Sequence, residues 1–462
     1  MSDNQPNLAT PVTEQPSTLA SPPTETGQAA TSESPKVAAT PRPKVPNPEQ
    51  QAAIDQILQF IADPDPGHNF FILSGGAGTG KTFCMSSVQS ALRGSRTNLA
   101  FTAPTNKAAK VLKGVVGYAK TIYSLLGLRI DTSGELKQIV AGEYTDLSDV
   151  DVIVLDEASM VNKHLIRELK EHVNDGRLKI IFMGDNAQLP PVGEVSSPIW
   201  TEKNVPLAQL LKVERHDNQI LKLVTHIREQ VFLPQTDLKL QADNDGQEGV
   251  WKINKQAFKM KIYDDAVDGA FSDTNGTKVI SWRNIKVAEY NDLIRLGIFG
   301  EAAIPGYYLP GDRVIATAPC KRGEELILAT DEEAVVESVR DSQHPVEPKY
   351  KISELKCTTE DGRTIRLCTL HPHSAELFNK DCEELAHAAR KDGRLWRKFW
   401  LLKELFHEVK YGYAITAHRA QGSTYGTVYV DTGDILLNRS RREALQCLYV
   451  ATSRPTTRLI LT

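Results

Sequence analysis

Cysteine is scarce, six residues in 462, and no two of them form a CxxC pair. A disulfide framework is therefore excluded as the organising principle, and the reading is of reduced thiols in a cytoplasmic compartment. No apolar run reaches the roughly 18 residues of a membrane helix. The N-terminus carries no apolar signal core, so no membrane partner is expected. A basic excess is also missing, because the net charge is −4. That excludes a global field drawing in polyanions but leaves room for a local phosphate groove. Aromatic residues are absent until Phe60. Residues 1–46, rich in Pro, Ser, Thr, Ala and Gln, cannot bury enough apolar surface to offset their ordering entropy, so a disordered tail is expected there.

Order begins at PNPEQQAAIDQILQFI, where Ala53, Ile54, Ile57, Leu58 and Ile61 recur at helical spacing. Short, nearly continuous apolar runs follow: NFFILSG, TNLAFTAPT, DVIVLDE and LKIIFMGD. Helical stretches separate them, which predicts an α/β fold with a parallel sheet covered on both faces. A second series, KVISWRN, GTVYVD and RLILT, predicts a second such sheet. Between SWRN and GTVYVD the texture changes to short antiparallel strands with turns such as EDGR, and then to two helices joined at KDG.

Three stretches carry chemistry. GGAGTGKT (Gly75, Gly76, Ala77, Gly78, Thr79, Gly80, Lys81, Thr82) follows a strand and opens a helix, the context a P-loop requires. Its backbone N–H groups and the helix N-terminus suit phosphates. Lys81 would reach the β- and γ-phosphates of ATP, and Thr82 would ligate Mg²⁺. The strand DVIVLDEA ends in Asp156, suited to the Mg²⁺ shell, and Glu157, suited to orient or deprotonate a water. MGDNAQLPPVG, Met183 to Gly193, ends another strand. An ordinary turn uses the same residue types. At the carboxyl end of a parallel strand, however, Gln188 is placed to sense a γ-phosphate.

Together with TAHRAQGST (416–424) and LYVATSRP (448–455), these motifs stand in the order of superfamily 1 helicases and resemble its RecD-like branch, the Dda-type helicases in particular. The resemblance runs from about residue 47 to the C-terminus. It implies two RecA-like lobes, 47–199 and 200–300 completed by 409–462. It also implies a pin hairpin at 127–145, an SH3-like β-barrel at 301–372 and a helical hairpin, the tower, at 373–408. The activity implied is ATP-dependent DNA unwinding with 5′→3′ translocation, in phage replication, recombination or repair.

By the same resemblance Gln50 recognises adenine, Arg215 contacts the γ-phosphate, and Arg454 is the arginine finger. Pro104, Thr105, Asn106, Thr121 and Tyr123 hold single-stranded DNA in the first lobe, and Thr416, His418 and Gln421 in the second. Relatives often carry His where Tyr123 stands and Thr where Ser453 stands. The partners implied are single-stranded DNA and a fork duplex, with single-strand-binding or replication proteins beside them and the chain as a monomer. The residues alone leave open an RNA helicase, a P-loop ATPase that remodels nucleoprotein without unwinding, and a helicase–nuclease subunit. No NKxD stretch follows the P-loop to select guanine. Cys368, His371 and His373 lack a second ligand pair for zinc. Trp396, Phe399 and Trp400 read as core packing.

Overall fold

Asn47 starts the first helix with a capping box. Its side chain accepts from the Gln50 N–H, and the Gln50 side chain accepts from the Asn47 N–H, at the head of Pro48–Ala62. The structure, a computed structural model, describes residues 45–462 except 66, 132–137, 142–144, 174–176, 214–218, 236, 275 and 324. The expected tail, but for its last two residues, and Arg215 thus lie outside the described residues.

Six parallel strands make the first sheet, in the order Lys120–Thr121, Leu99–Ala103, Val152–Leu155, Lys179–Gly184, Phe70–Gly75, Leu207–Leu210. Alternate residues of one strand enter opposite cores: Phe71 and Leu73 join one apolar cluster, Phe70 and Ile72 the other. Burial on both faces is why these strands read as unbroken apolar runs. The second sheet runs Ala414–Thr416, Thr277–Ser281, Tyr425–Val430, Pro455–Leu461, Gly249–Lys252, and ends in the antiparallel Asp243–Asn244.

An antiparallel sheet is inserted in the second lobe: Thr364–Leu370, Lys351–Thr359, Glu333–Gln343, Arg313–Ala316 and Val409–Tyr411. It closes over an apolar core that includes Val314, Leu328, Val336, Leu355 and Leu367. Helices Ala375–Lys391 and Trp396–Lys403 follow it. Trp396, Phe399 and Trp400 meet edge to face, with ring centroids 5.4 and 4.9 Å apart. His371 stacks on His373, and its Nε2 lies 3.1 Å from Asp341.

Two expected boundaries shift. Leu207–Leu210 pairs with the P-loop strand, so the first sheet extends past residue 199. Its alternating exposure, unlike the buried strands, disguised it. Val409–Tyr411 pairs with Arg313–Ala316, so the inserted sheet claims residues assigned to the second lobe. At the expected pin, Leu128–Asp131 pairs antiparallel with Gln138–Ala141, while the connecting 132–137 and the following 142–144 lie outside the described residues. Among the described residues, no helix is long and apolar enough to cross a membrane.

One buried charge cluster ties the insertion to both lobes. Glu333 accepts from Lys278 at 2.8 and 2.9 Å and from Arg313 at 2.8 Å, and Lys107 of the first lobe stands 3.9 Å away. Burial pulls the Lys278 ammonium down to about 7. Burial would push the Glu333 carboxyl up, but the three cations outweigh it and hold it below its usual range. Removing the carboxylate that Lys278 and Arg313 share leaves buried charge uncompensated, which typically costs about 3–5 kcal/mol. Glu333→Ala should therefore lower unfolding stability by that order in denaturant titration. A loss under about 1 kcal/mol, the worth of an exposed ion pair, would show that the cluster does not join the units.

Candidate functional site

The parallel register sets the pocket. Val152–Leu155, Lys179–Gly184 and Phe70–Gly75 are neighbours, so Asp156, Asp185 and the glycine-rich turn emerge at one edge of the sheet. Gly78 and Gly80 take φ of 80° and 90°, the left-handed region that favours glycine. At Gly80 a side chain would also collide with Gln50, whose Nε2 would lie 2.4 Å from the added carbon. The Lys81 ammonium donates to the Gly75 and Gly76 carbonyls at 2.7 and 3.1 Å, folded back over the turn.

Asp156 accepts from the Glu157 N–H at 2.8 Å, and Glu157 takes a left-handed φ of 54°. The strained backbone turns the second carboxylate away from the strand axis. Burial pushes both carboxyls up. Glu157 rises to about 7, first by burial and then by the neighbouring Asp156; Arg454, Lys81 and a hydrogen bond with Gln421 pull it back. Glu157 therefore lies in the field of Lys81 from the first lobe and Arg454 from the second. Arg454, the residue expected as the finger, is thus within electrostatic reach of Glu157.

Arg454 is 6% exposed. Its Nε donates to the Val450 carbonyl at 2.9 Å, its Nη1 to the Ser423 carbonyl at 3.1 Å, and its Nη2 to the Ser453 hydroxyl at 2.7 Å. Ser453, where relatives have Thr, thus keeps a hydroxyl on the guanidinium. Gln188 accepts at its Oε1 from the Gln421 amide at 3.1 Å, and Gln421 also donates to Ser159 at 3.0 Å. The Gln446 amide donates to the Gln188 carbonyl at 2.8 Å. Gln188 is therefore an inter-lobe contact.

Two expectations change. Gln421, expected to hold DNA, is buried between the lobes beside Glu157 and Gln188, because its motif turns inward at Gly422, against Ala108. Gln50, expected on adenine, already donates to the Thr79 carbonyl at 3.0 Å and closes its own helix cap, so both ends of its amide have protein partners.

Three of the remaining strand-binding candidates share one device. Thr105, Thr121 and Thr416 each cap a helix, accepting from Ala108, Ser124 and Arg419 N–H. The sheet pairs Ala103 with Thr121, which sets Pro104 and Thr105 beside that residue. Tyr123 is half-buried against the first-lobe core, and burial pushes its phenol up. Asn106 is exposed. His418 is partly buried; burial pulls its imidazole down, opposed by Glu443.

Residues 45–245 match the AAA domain family, and residues 411–462 match the UvrD-like helicase C-terminal domain. The ATP-dependent DNA helicase dda of Enterobacteria phage T4 is 26% identical across 83% of this chain and 92% of its own length. An uncharacterized protein of Acanthamoeba polyphaga mimivirus is 24% identical across 89% of this chain and 99% of its own. The Pif1 helicase from Bacteroides, solved with ADP-AlF3 and single-stranded DNA, superposes with a TM-score of 0.50 at 16% identity, over 90% of this chain and 92% of that one. Two domain matches and a full-length relative thus coincide with a pocket built from both lobes. The likeness is thus to helicases of superfamily 1B, Dda among them.

In this pocket, sequence reasoning passed over three residues. Asp185, fully buried, accepts from Arg228 Nε and Nη2 at 3.1 and 3.0 Å and from the Tyr449 hydroxyl at 2.6 Å. Tyr449 in turn accepts from the Ala77 N–H of the P-loop at 3.1 Å. Asp185 and Tyr449 lay inside recognised motifs, and a buried Gly-Asp after an apolar strand was the available signal. Arg228, on an amphipathic helix, gave none.

Glu157 generates a pH prediction. Its folded-state carboxyl is raised above the usual 4.5, so the folded protein holds a proton that the unfolded chain releases. Its contribution to stability is then lost as pH rises from about 4.5 to about 7. Glu157→Gln should raise the melting temperature of the nucleotide-free protein relative to wild type at pH 8, converge with it near pH 4, and abolish ATP turnover. Equal melting temperatures at pH 8 would contradict the raised carboxyl.

Proposed function

We propose that the chain is an ATP-dependent DNA helicase that moves 5′→3′ on one strand and opens duplex ahead of it. The observation carrying this reading is that the Glu157 carboxyl feels the charge of Lys81 from one lobe and of Arg454 from the other. A base completed by the finger of an opposing lobe makes hydrolysis depend on closure, which is what a motor requires. Arginine fingers are typically worth about 10³ to 10⁵ in rate.

The residues fit ATP with Mg²⁺. The N–H groups of the glycine turn would take the phosphates. Asp156 and Glu157 are adjacent carboxylates, both raised by burial, a pair that a divalent cation would relieve. Thr82 and Asp156 would hold the ion, which neutralises phosphate charge. Lys81 would leave the Gly75 and Gly76 carbonyls for the nucleotide. Glu157 would take the proton of the attacking water, and Gln188 would report the nucleotide state to Gln421 across the seam.

For the strand, the first turn of the helix capped by Thr105 would favour a phosphate. The DNA substrate follows the dda relative, and 5′→3′ polarity follows the RecD-like motif order. The Leu128–Ala141 hairpin would stand at the fork as the pin, and the inserted sheet and helices would brace it.

Duplexes with single 5′ or 3′ tails test activity, substrate and direction together. The expected result is ATP-dependent opening of 5′-tailed DNA and little of the 3′-tailed form. Opening from 3′ tails would reverse the polarity. Equal stimulation of hydrolysis by RNA would favour an RNA helicase, and hydrolysis indifferent to any strand would favour a protein-remodelling ATPase.

A further inference from the structure

Asp185 is a fully buried carboxylate that no step of hydrolysis needs, and both side chains that satisfy it come from the other lobe. Arg228 projects from the helix Gln219–Phe232, and Tyr449 from the helix Arg441–Thr452. These two helices pack against each other and against the second sheet. The Tyr449 hydroxyl has one proton, and it goes to Asp185. Its lone pair receives the Ala77 N–H. Burial and the Asp185 carboxylate hold the phenol above its usual range, so it remains a donor. Gly76 closes the contact: a side chain there would meet Arg228 Nε at 3.2 Å and lie 3.6 Å from the Tyr449 hydroxyl. The second lobe therefore touches the P-loop backbone directly.

Tyr449 lies five positions before Arg454 in the sequence. Arg454 Nε donates to the Val450 carbonyl, so the guanidinium is tied to the last turn of the helix that carries Tyr449. Fixing that turn fixes the finger. We propose that Tyr449 is a positioning residue that docks the arginine-finger helix onto the P-loop, with Asp185 as the docking post and Arg228 as the charge that lets Asp185 stay buried. The proposal rests on the ATPase reading above but not on the choice of nucleic acid.

The test is steady-state ATP hydrolysis without any nucleic acid, with kcat and KM resolved, for Tyr449→Phe, Arg454→Ala and the double variant. Tyr449→Phe removes one hydroxyl and keeps the ring. One hydrogen bond to a charged group corresponds to about 10- to 100-fold, and the loss is expected in kcat while KM for ATP moves far less. Because Tyr449 acts through Arg454, the double variant should turn over no more slowly than Arg454→Ala alone. Arg228→Gln should show the same kcat-dominated loss. Overturning results are a Tyr449→Phe kcat within twofold of wild type, or a double variant slower than Arg454→Ala by the full factor of the tyrosine change, which would mark independent packing. A wild-type protein that hydrolyses no ATP would sink the underlying ATPase reading, and this proposal with it.

Discussion

Polar groups that neither lobe could bury alone hold the seam between the two sheets. Asp185 would be an isolated buried carboxylate without Arg228 and Tyr449, and isolated buried charge is among the costliest features a fold can carry. Gln188 and Gln421 complete each other in the same way. Closing the lobes is thus favoured by electrostatics at the place where the nucleotide would lie. A pocket assembled by such contacts has two arrangements, made and broken, rather than a continuum, and that discreteness is what lets a chemical step drive a mechanical one.

The first-lobe side of the seam carries two buried, perturbed carboxylates. Burial holds both Asp156 and Glu157 above their usual range, and the neighbouring Asp156 pushes Glu157 further up. Lys81 and Arg454 relieve part of that penalty. A nucleotide–metal complex would relieve more. Perturbed acids in a cleft are a general mark of functional sites, and here they coincide with the two motifs of plainest sequence spelling.

Much of this was legible in the sequence because it is local. Apolar runs buried on both faces announced the central strands, the P-loop and Asp156–Glu157 stood in motifs at strand ends, and the family resemblance pointed to Arg454. What escaped was set by contacts through space. Leu207–Leu210 alternates because it is an edge strand, so it did not resemble its buried neighbours. Gln421 sits in a motif read as DNA-binding, yet the inward turn at Gly422 buries it against the first lobe. Gln50 spends its amide on Thr79 and on its own helix cap, a competition no linear pattern displays. Arg228 became visible only when its partner, 43 positions earlier in the chain, was folded against it.

The account stands on the second lobe delivering Arg454 to a nucleotide held by the first. Single-turnover hydrolysis of prebound ATP by Arg454→Ala, beside wild type and with retained nucleotide binding checked in the same sample, measures this most directly. The account predicts bound ATP whose cleavage is slowed by about three orders of magnitude or more. Cleavage at the wild-type rate would show that the pocket works with one lobe, and would contradict the coupling on which the motor depends.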